Sequence, residues 1–141
     1  MSQRLSSEMV HATTVAKDGR GVVIAGRSGS GKSDLALRLI DRGFVLVSDD
    51  QTMISKADNL LIASAPATIK GKLEVRGVGI LEMAHVDRVE VSLWVFVTDQ
   101  INRLPGHEEH LILGNAVPSL SIDAMSASAP IKVELALGRV A

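Results

Sequence analysis

The chain has 141 residues, of which 46% are hydrophobic, and a formal net charge of −1. This length suffices for one domain with a buried core, and the hydrophobic share excludes a disordered chain. Lys and Arg are scattered, and the chain has only two Phe, one Trp and no Tyr, so its composition argues against a nucleic-acid-binding surface. The lack of cysteine excludes disulfides and thiolate metal sites.

Neither end of the chain nor its interior predicts a membrane segment. The first eight residues contain no apolar core of the kind a signal peptide needs. The most apolar run, residues 89–97, is too short to span a bilayer. We therefore expect a cytoplasmic protein that consists of a single domain, residues 1–141.

The N-terminal half predicts strands around one helix. Residues 9–17 are rich in β-branched side chains and predict a strand, and the turn signal Asp18-Gly19 joins it to a second strand at 22–25. Leucines at i, i+4 spacing predict a helix over 32–42. The short apolar run 44–47 is typical of a strand that is buried on both faces.

The C-terminal half predicts more strands and a final helix. A hairpin is expected from strands at 52–54 and 60–63, and a single alternating strand at 73–81 that carries two glycines. The other expected elements, in chain order, are a loop at 66–72, a strand at 89–97, a polar loop at 100–114, a strand at 120–122 and a helix that begins at Ser128-Ala129-Pro130.

The stretch between the second strand and the first helix matches the phosphate-loop pattern G-x-x-x-x-G-K-[ST] without a gap. Its glycines allow the backbone N–H groups to approach a ligand closely, and the N-terminus of the helix favours anions. Lys32 supplies a charge for the outer phosphates, and the Ser33 hydroxyl is a ligand for Mg²⁺. The pattern predicts a nucleoside triphosphate or a related phosphate ligand, held by Gly26, Arg27, Ser28, Gly29, Ser30, Gly31, Lys32 and Ser33.

Two adjacent carboxylates, Asp49 and Asp50, directly follow the apolar strand at 44–47. Ligands of α/β sheets bind at the carboxyl ends of strands, and we expect the helix to return the chain beside the strand that leads into the phosphate loop. One carboxylate is then a candidate general base, and the other a candidate partner for a metal or a side chain. Spacing alone leaves the two roles unassigned, and the alternative is a pair that merely opens a turn.

Three further acidic or basic residues are candidates for the same site. Asp99 ends an apolar strand, which is the usual place of the acidic partner of a phosphate loop. Glu74 is a candidate second metal ligand, and Arg76 a candidate for stabilising developing phosphoryl charge. The alternative for Glu74 and Arg76 is an ordinary charge pair on an exposed strand face.

The histidines and one loop arginine carry weaker signals. His11 lies in the middle of the first predicted strand, and Arg103 lies in the loop 100–114, so neither position by itself indicates catalysis. The segment His107-Glu108-Glu109-His110 lacks the H-E-x-x-H spacing. We interpret it as part of a solvated loop and not as a metal site.

Several stretches match one family in order, and together they cover nearly the whole chain. They are Val10-His11, the 26–33 loop, Arg42-Gly43, Ser48-Asp49-Asp50, residues 73–80, Arg103-Leu104, Val117-Pro118 and the final helix. On these residues the chain resembles the C-terminal catalytic domain of HPr kinase/phosphorylase, and Glu74-Val75-Arg76-Gly77 is the most specific part. Enzymes of this family phosphorylate a serine of HPr, the phosphocarrier of the bacterial sugar phosphotransferase system, and many reverse the reaction with inorganic phosphate.

The resemblance implies an α/β fold with a mixed β-sheet and a phosphate loop, like that of phosphoenolpyruvate carboxykinase, assembled into homohexamers. It implies ATP and Mg²⁺ as cofactors and HPr or a paralogue as the partner. It makes Asp50 the catalytic base, Asp49 the supporting carboxylate, and Asp99 a secondary residue. The other implied assignments are Lys32 for the nucleotide phosphates, Ser33 and Glu74 for Mg²⁺, and His11 and Arg103 as residues that complete the site.

Two departures from the family pattern affect the prediction. The chain looks like a short form without the N-terminal domain that many relatives carry. Residues 124–129 replace a loop that is usually rich in Arg, Gly and Pro and is associated with dephosphorylation, so cations for inorganic phosphate are missing there. The sequence therefore favours the kinase activity over the phosphorylase activity.

We predict an ATP- and Mg²⁺-dependent protein-serine kinase that acts on HPr or a paralogue. Two alternatives stay open at this point. One is a small-molecule kinase or another phosphate-loop NTPase that uses Asp99 on the metal. The other is a non-catalytic regulatory module that only binds a nucleotide.

Overall fold

The computed structural model describes residues 6–140. Residues 1–5, which contributed to the prediction that no signal peptide is present, lie outside the described residues. No helix within 6–140 is long and apolar enough to cross a membrane. The strands are β1 Ser7–Val10, β2 Ala12–Lys17, β3 Arg20–Ala25, β4 Val45–Ser48, β5 Thr52–Ala57, β6 Leu60–Ser64, β7 Lys72–Val75, β8 Gly79–Glu82, β9 Arg88–Val97, β10 Glu109–Ile112 and β11 Asn115–Ile122. The helices are α1 Lys32–Asp41 and α2 Ala129–Gly138, and a single 3₁₀ turn spans Ala67–Ile69.

The main sheet is built around β9. Strand β3 lies parallel to β9 on one side, whereas the other side pairs first with β6, antiparallel, and then with β11, parallel. From one edge the strands run in the order β1, β5, β6, β9, β3, β2, β4, and β10 pairs with the free side of β11. Strands β7 and β8 form a separate two-stranded sheet. This architecture confirms the predicted α/β fold with a mixed sheet.

The alternation of side chains along the central strands divides the core between the two faces of the sheet. On β9, Leu93 and Val95 face α1 and α2, whereas Trp94 faces the opposite side. That second face is covered by Ile54 and Ile112 from the outer strands, so the sheet curls over its own apolar side chains. The two helices therefore lie on one face, and the phosphate loop begins at the edge of that face.

The first predicted strand is wrong in one respect. Residues 9–17 do not form a single strand, because the chain bends at His11 between β1 and β2. Strand β2 lies between β3 and β4, next to one edge of the sheet, whereas β1 is an exposed strand at the opposite edge beside β5. The chain has to bend because one continuous strand could not pair both with β5 and with β3 and β4. His11 consequently lies at a bend and not in mid-strand.

The hairpin of β2 and β3, the helix α1 and the hairpin of β5 and β6 are confirmed. Strand β4 runs parallel to β3, as expected for a strand that returns after a helix, but β2 lies between the two. The helix therefore does not return the chain directly beside β3. The sequence could not reveal this insertion, because β2 precedes β3 in the chain and takes its place only through pairing.

Two predictions in the C-terminal half are corrected. Residues 73–81 form the hairpin of β7 and β8 and not one strand, because the Val78 N–H donates to the Val75 carbonyl at 2.9 Å and closes a turn. Arg76 lies in that turn and does not share a strand face with Glu74. The loop predicted over 100–114 ends early, because residues 109–112 pair with β11 as β10. The predicted strands at 89–97 and 120–122 and the final helix are confirmed, and β11 begins earlier than predicted.

Candidate active site

The phosphate loop joins β3 to α1 and takes its shape from its glycines and its lysine. Gly31 precedes the helix with φ of 100°, a left-handed conformation that side chains other than glycine rarely adopt. A Cβ atom on Gly26 would lie 2.8 Å from the Ser30 hydroxyl, so the loop closes tightly at this point. The Lys32 ammonium donates to the carbonyls of Gly26 and Arg27, at 2.9 Å each, and thereby curls the loop around its own side chain.

The loop fits a phosphate group on observations of its own atoms. The first N–H groups of α1 have no helical carbonyl to bind, and they open onto the loop. The Ser30 hydroxyl oxygen is buried and has no hydrogen-bond partner among residues 6–140. Lys32 is 5% exposed, so its charge is directed into the loop and not into solvent. A phosphate would satisfy these donors, which is the reason we regard the residues as compatible with a nucleotide.

Asp49 connects the end of β4 to the phosphate loop. Its Oδ1 atom accepts a hydrogen bond from the Ser33 hydroxyl at 2.6 Å and another from the Thr13 hydroxyl at 3.0 Å. Its Oδ2 atom accepts one from the Glu74 backbone N–H at 3.0 Å. The side chain is buried, with 8% of the residue exposed, and the three donors satisfy both of its oxygens. The carboxylate therefore ties together β2, α1 and β7.

Asp50 has a different environment from its neighbour. The residue is exposed, and its backbone adopts φ of 66°, which is uncommon for a residue other than glycine. The Gln51 N–H donates to the Asp49 carbonyl at 2.7 Å, so Asp50 is the central residue of a γ-turn in its strained form. Strained backbone of this kind is found at functional sites, and the Asp50 carboxylate, unlike that of Asp49, has no hydrogen bond with another residue in 6–140.

Thr13 forms hydrogen bonds with both aspartates, and it was not among the site residues predicted from the sequence. Its hydroxyl accepts a hydrogen bond from the Asp50 N–H at 3.0 Å and donates to Asp49. The residue is fully buried in β2, where a threonine is normally interpreted as an ordinary β-branched strand residue. The only sequence signal was the pair Thr13-Thr14 in a strand that is otherwise apolar.

The remaining predicted site residues are exposed. Glu74 reaches the site through its backbone N–H, and its carboxylate has no hydrogen bond or ion pair with another residue in 6–140. The same holds for the side chains of His11, Arg76 and Arg103, which lie at a bend, in a hairpin turn and in the loop before β10. Within the described chain, no three carboxylate or imidazole groups converge on one point as a metal cage. The structure thus brings together Ser33, Asp49 and the Asp50 backbone but leaves these other groups separate.

Two other acidic or histidine positions take no part in the hydrogen bonds that join Ser33, Asp49 and Thr13. Asp99 follows β9 in an exposed position, where it accepts a hydrogen bond from the Gln100 side chain at 3.3 Å. His110 lies on β10 and stacks on Trp94, with ring centroids 4.5 Å apart. Burial lowers the pKa of His110, and the nearby Glu8 carboxylate opposes that effect. A stacked, neutral imidazole fits a packing role and corrects the interpretation of this residue as part of a solvated loop.

Comparison with known proteins places the chain in one family. The model of the HPr Serine kinase C-terminal domain matches residues 3–129. The chain is 36% identical over 126 residues to the HPr kinase/phosphorylase of Caldicellulosiruptor bescii, a match that covers 79% of this chain and 40% of the relative. It is 42% identical over 111 residues to the HPr kinase/phosphorylase of Peptoclostridium acidaminophilum, covering 77% of this chain and 36% of the relative. The chain thus spans about 40% of the length of such curated relatives.

The fold has a solved counterpart. The Hpr(Ser) kinase/phosphatase of Coxiella burnetii superposes with a TM-score of 0.82 at 30% sequence identity. The match covers 93% of this chain and 88% of that chain. The curled mixed sheet, the phosphate loop and the two helices are therefore a shared architecture and not a peculiarity of this sequence.

Proposed function

The chain belongs to the family of the HPr Serine kinase C-terminal domain, and on that premise we propose that it is an ATP- and Mg²⁺-dependent protein-serine kinase. Its substrate is the phosphocarrier HPr or a paralogue of it. The observation that carries the proposal is the 2.6 Å hydrogen bond between Ser33 of the phosphate loop and Asp49, with Asp50 exposed directly beside it. This hydrogen bond joins the phosphate loop to the strand end that carries Asp50.

The chain's own residues divide the work between binding and proton transfer. The loop N–H groups, Ser30 and Lys32 bind the phosphates and hold them in line for transfer. Asp50 accepts the proton of the serine hydroxyl that attacks, because it directly follows Asp49, which binds Ser33, and its own carboxylate has no hydrogen bond with another residue of 6–140. Arg76 and Arg103 lie on exposed segments, from which they stabilise phosphoryl charge and bind the protein substrate, and His11 completes the site.

The metal ion is assigned to Ser33 and Glu74. When bound, Mg²⁺ supplies charge neutralisation for the phosphates and orients them. The Ser33 hydroxyl is presented by the first turn of α1, and it donates its proton to Asp49, so the lone pairs of its oxygen remain for a metal ion. Glu74 is on β7, whose backbone is tied to Asp49, so the two proposed ligands share one anchor.

We propose that the forward reaction predominates over the reversal with inorganic phosphate. Residues 124–129 contain no Lys or Arg. Arg38 lies next to this segment, but its guanidinium already donates to the carbonyls of Ala124 and Ser126. No additional cation is therefore presented to a free phosphate from this side of the loop.

We further propose a cytoplasmic homo-oligomer, with a hexamer as the form implied by the family resemblance. The support is a set of large apolar side chains that remain exposed on one protomer, among them Val78 at 68%, Ile80 at 70% and Leu104 at 86%. Surfaces of this kind mark protein interfaces. Sedimentation velocity would measure the assembly, and a monomer at all concentrations would contradict this part of the proposal.

The function is tested by incubating the protein with labelled ATP, Mg²⁺ and purified HPr, and then locating the label. We expect phosphoserine on HPr, and no label on HPr whose acceptor serine is replaced by alanine. The Lys32→Met variant is the matched inactive control. Nucleotide binding without a labelled phosphoprotein would contradict the kinase proposal and favour the regulatory module. Inorganic phosphate, added after labelling, measures the reversal.

A further inference from the structure

The turn after β11, residues 123–128, lies directly against the phosphate loop. Ala124 is 1% exposed and belongs to the apolar core between α1 and the sheet. A Cβ atom on Gly31 would lie 3.2 Å from the Ala124 Cβ, which is closer than side chains normally approach. The Ala124 methyl group is therefore in contact with the glycine at which the loop ends and α1 begins.

This turn is held by its own hydrogen bonds. The Met125 N–H donates to the Asp123 carboxylate at 3.0 Å, and the Ser126 N–H donates to the Asp123 carbonyl at 3.1 Å. The Ser126 and Ser128 hydroxyls lie 3.0 Å apart. A turn with this many internal contacts moves as a unit, so a group that fixes one of its carbonyls fixes Ala124 as well.

Arg38 is that group. Its Nη1 atom donates to the Ser126 carbonyl at 3.1 Å, and its Nη2 atom donates to the Ala124 carbonyl. Its Nε atom lies 3.1 Å from a carboxylate oxygen of Asp34, one helical turn earlier, as an ion pair without hydrogen-bond alignment. The planar guanidinium can contact both carbonyls at once, which a lysine ammonium cannot do.

We propose that Arg38 is a positioning residue for phosphate binding, which acts through Ala124 on Gly31. Arg38 is on α1, the same helix whose first N–H groups open onto the loop. By tying the 123–128 turn to α1, it seats the Ala124 methyl group against Gly31 and holds those N–H groups in one orientation. The inference rests on the proposed function, since the bound group is the phosphate of the nucleotide. Small displacements of such donors weaken binding strongly.

The test compares two arginines of α1 and its C-terminal end. Arg38→Met keeps the length of the side chain and removes its donors. Arg42→Met is the matched control, because Arg42 pairs with Glu134 on α2 and has no contact with the 123–128 turn. For each variant we would measure the Kd for ATP by titration, and the hydrogen exchange of the backbone amides of residues 26–33 without nucleotide.

We expect Arg38→Met to raise the Kd for ATP about tenfold, which corresponds to about 1.4 kcal/mol, and to accelerate exchange in residues 26–33. Arg42→Met should change neither quantity by more than about twofold, although it loses an ion pair. Arg38→Lys, which retains one charged donor, should lie between the wild type and Arg38→Met. If Arg38→Met does not fold, the Kd for ATP and the hydrogen exchange of Arg38→Lys provide the test.

The outcomes separate this inference from the proposed function. If the wild type does not bind ATP, the proposed function fails, whereas exchange on the nucleotide-free protein still tests the role of Arg38. If the wild type binds ATP and Arg38→Met shows the affinity and exchange of Arg42→Met, the positioning role of Arg38 is wrong. Equal acceleration of exchange in both variants would likewise overturn it, because that result indicates a general loss of stability.

Discussion

The two halves of the candidate site are held in different ways. On the phosphate-loop side, Thr13, Ser33 and Asp49 are joined by hydrogen bonds between buried or partly buried groups. By contrast, the side chains of Asp50 and Arg103, which we assign to the protein-substrate side of the site, are exposed and have no hydrogen-bond partner among residues 6–140. The segment that carries Arg103 also lies beside an open cavity of about 630 Å³, so little packing supports it.

This difference indicates which half is assembled in advance. Buried hydrogen bonds fix donors and acceptors before a ligand arrives, and they are costly to break. Exposed groups on a loosely packed segment take up one arrangement only when a partner supplies the missing contacts. We therefore interpret the nucleotide side as preorganised and the protein-substrate side as completed by the substrate. Substitutions on each side of the site test this division.

Asp50→Asn should reduce phosphoryl transfer to HPr by about 10²–10⁴-fold, because the amide cannot accept the serine proton. The Kd for ATP should change by less than about twofold, because Asp50 makes none of the hydrogen bonds that hold the loop. Asparagine also tolerates a positive φ, so the γ-turn is retained. Transfer is measured with labelled ATP. A variant with wild-type activity would remove Asp50 as the base.

Asp49→Asn should act on stability and nucleotide binding together. The carboxylate accepts from the Ser33 and Thr13 hydroxyls and from the Glu74 N–H, and an amide cannot accept all three. The free energy of unfolding should fall by about 1–3 kcal/mol, measured by denaturant titration. Asp18→Asn, at an exposed turn, is the control, with an expected change below about 0.5 kcal/mol. If Asp49→Asn and Asp18→Asn lowered the free energy of unfolding equally, the interpretation that the nucleotide side is preorganised would be wrong.

Glu74→Gln and Asp99→Asn distinguish two metal assignments. If Glu74 is the ligand, its amide variant should lower transfer about tenfold, a barrier change of about 1.4 kcal/mol, and should raise the Mg²⁺ concentration required. Asp99→Asn should stay within about twofold of the wild type, because the one hydrogen bond of the Asp99 side chain within 6–140 is the one it accepts from Gln100. The reverse order of effects would favour an NTPase that uses Asp99. The measurement is the transfer rate as a function of Mg²⁺ concentration.

Arg103→Ala should affect recognition of the protein substrate more than nucleotide binding. We expect the KM for HPr to rise about fivefold, or about 1 kcal/mol, with the Kd for ATP and the melting temperature nearly unchanged. The physical reason is that the side chain is exposed and has no hydrogen bond or ion pair with another residue in 6–140. An equally large change in the Kd for ATP would show that the two halves are not separate.

Glu134→Gln should alter stability alone, and in a pH-dependent way. A hydrogen bond from Arg42 holds the pKa of Glu134 below its ordinary value. The ion pair therefore stabilises the fold at neutral pH by at most about 1 kcal/mol, and this contribution is lost as the pH falls through the lowered pKa. Melting temperatures of wild type and variant should differ at pH 7 and converge in acid. A difference in melting temperature that grows as the pH falls would contradict a stabilising role of the ion pair.

Much of the candidate site was predictable, because it rests on local pattern. The phosphate loop required only the spacing of its glycines, Lys32 and Ser33 between a strand and a helix. The aspartates were identified by their position after an apolar strand, and the resemblance to one family assigned their roles. Thr13 was missed because its part depends on a pairing across the sheet, 36 residues away from Asp49.

The errors in the fold have a common cause. Residues 9–17 have the composition of one strand, but the chain bends at His11 because β1 pairs with β5, whereas β2 pairs with β3 and β4. Residues 109–112 are polar enough to predict a loop, and they form β10 because β11 offers a free edge. In both cases a tertiary contact outweighs the local pattern.

By itself, the sequence determined that this chain is an α/β domain with a phosphate loop and an acidic strand end, because these features depend on residues that are neighbours in the chain. The folded chain alone shows that Asp49 binds Ser33 while Asp50 stays exposed, and that Arg38 ties the 123–128 turn to α1. The physical reason is that hydrogen bonds between distant segments depend on strand order and register, and many sequences with the same local pattern can adopt a different order.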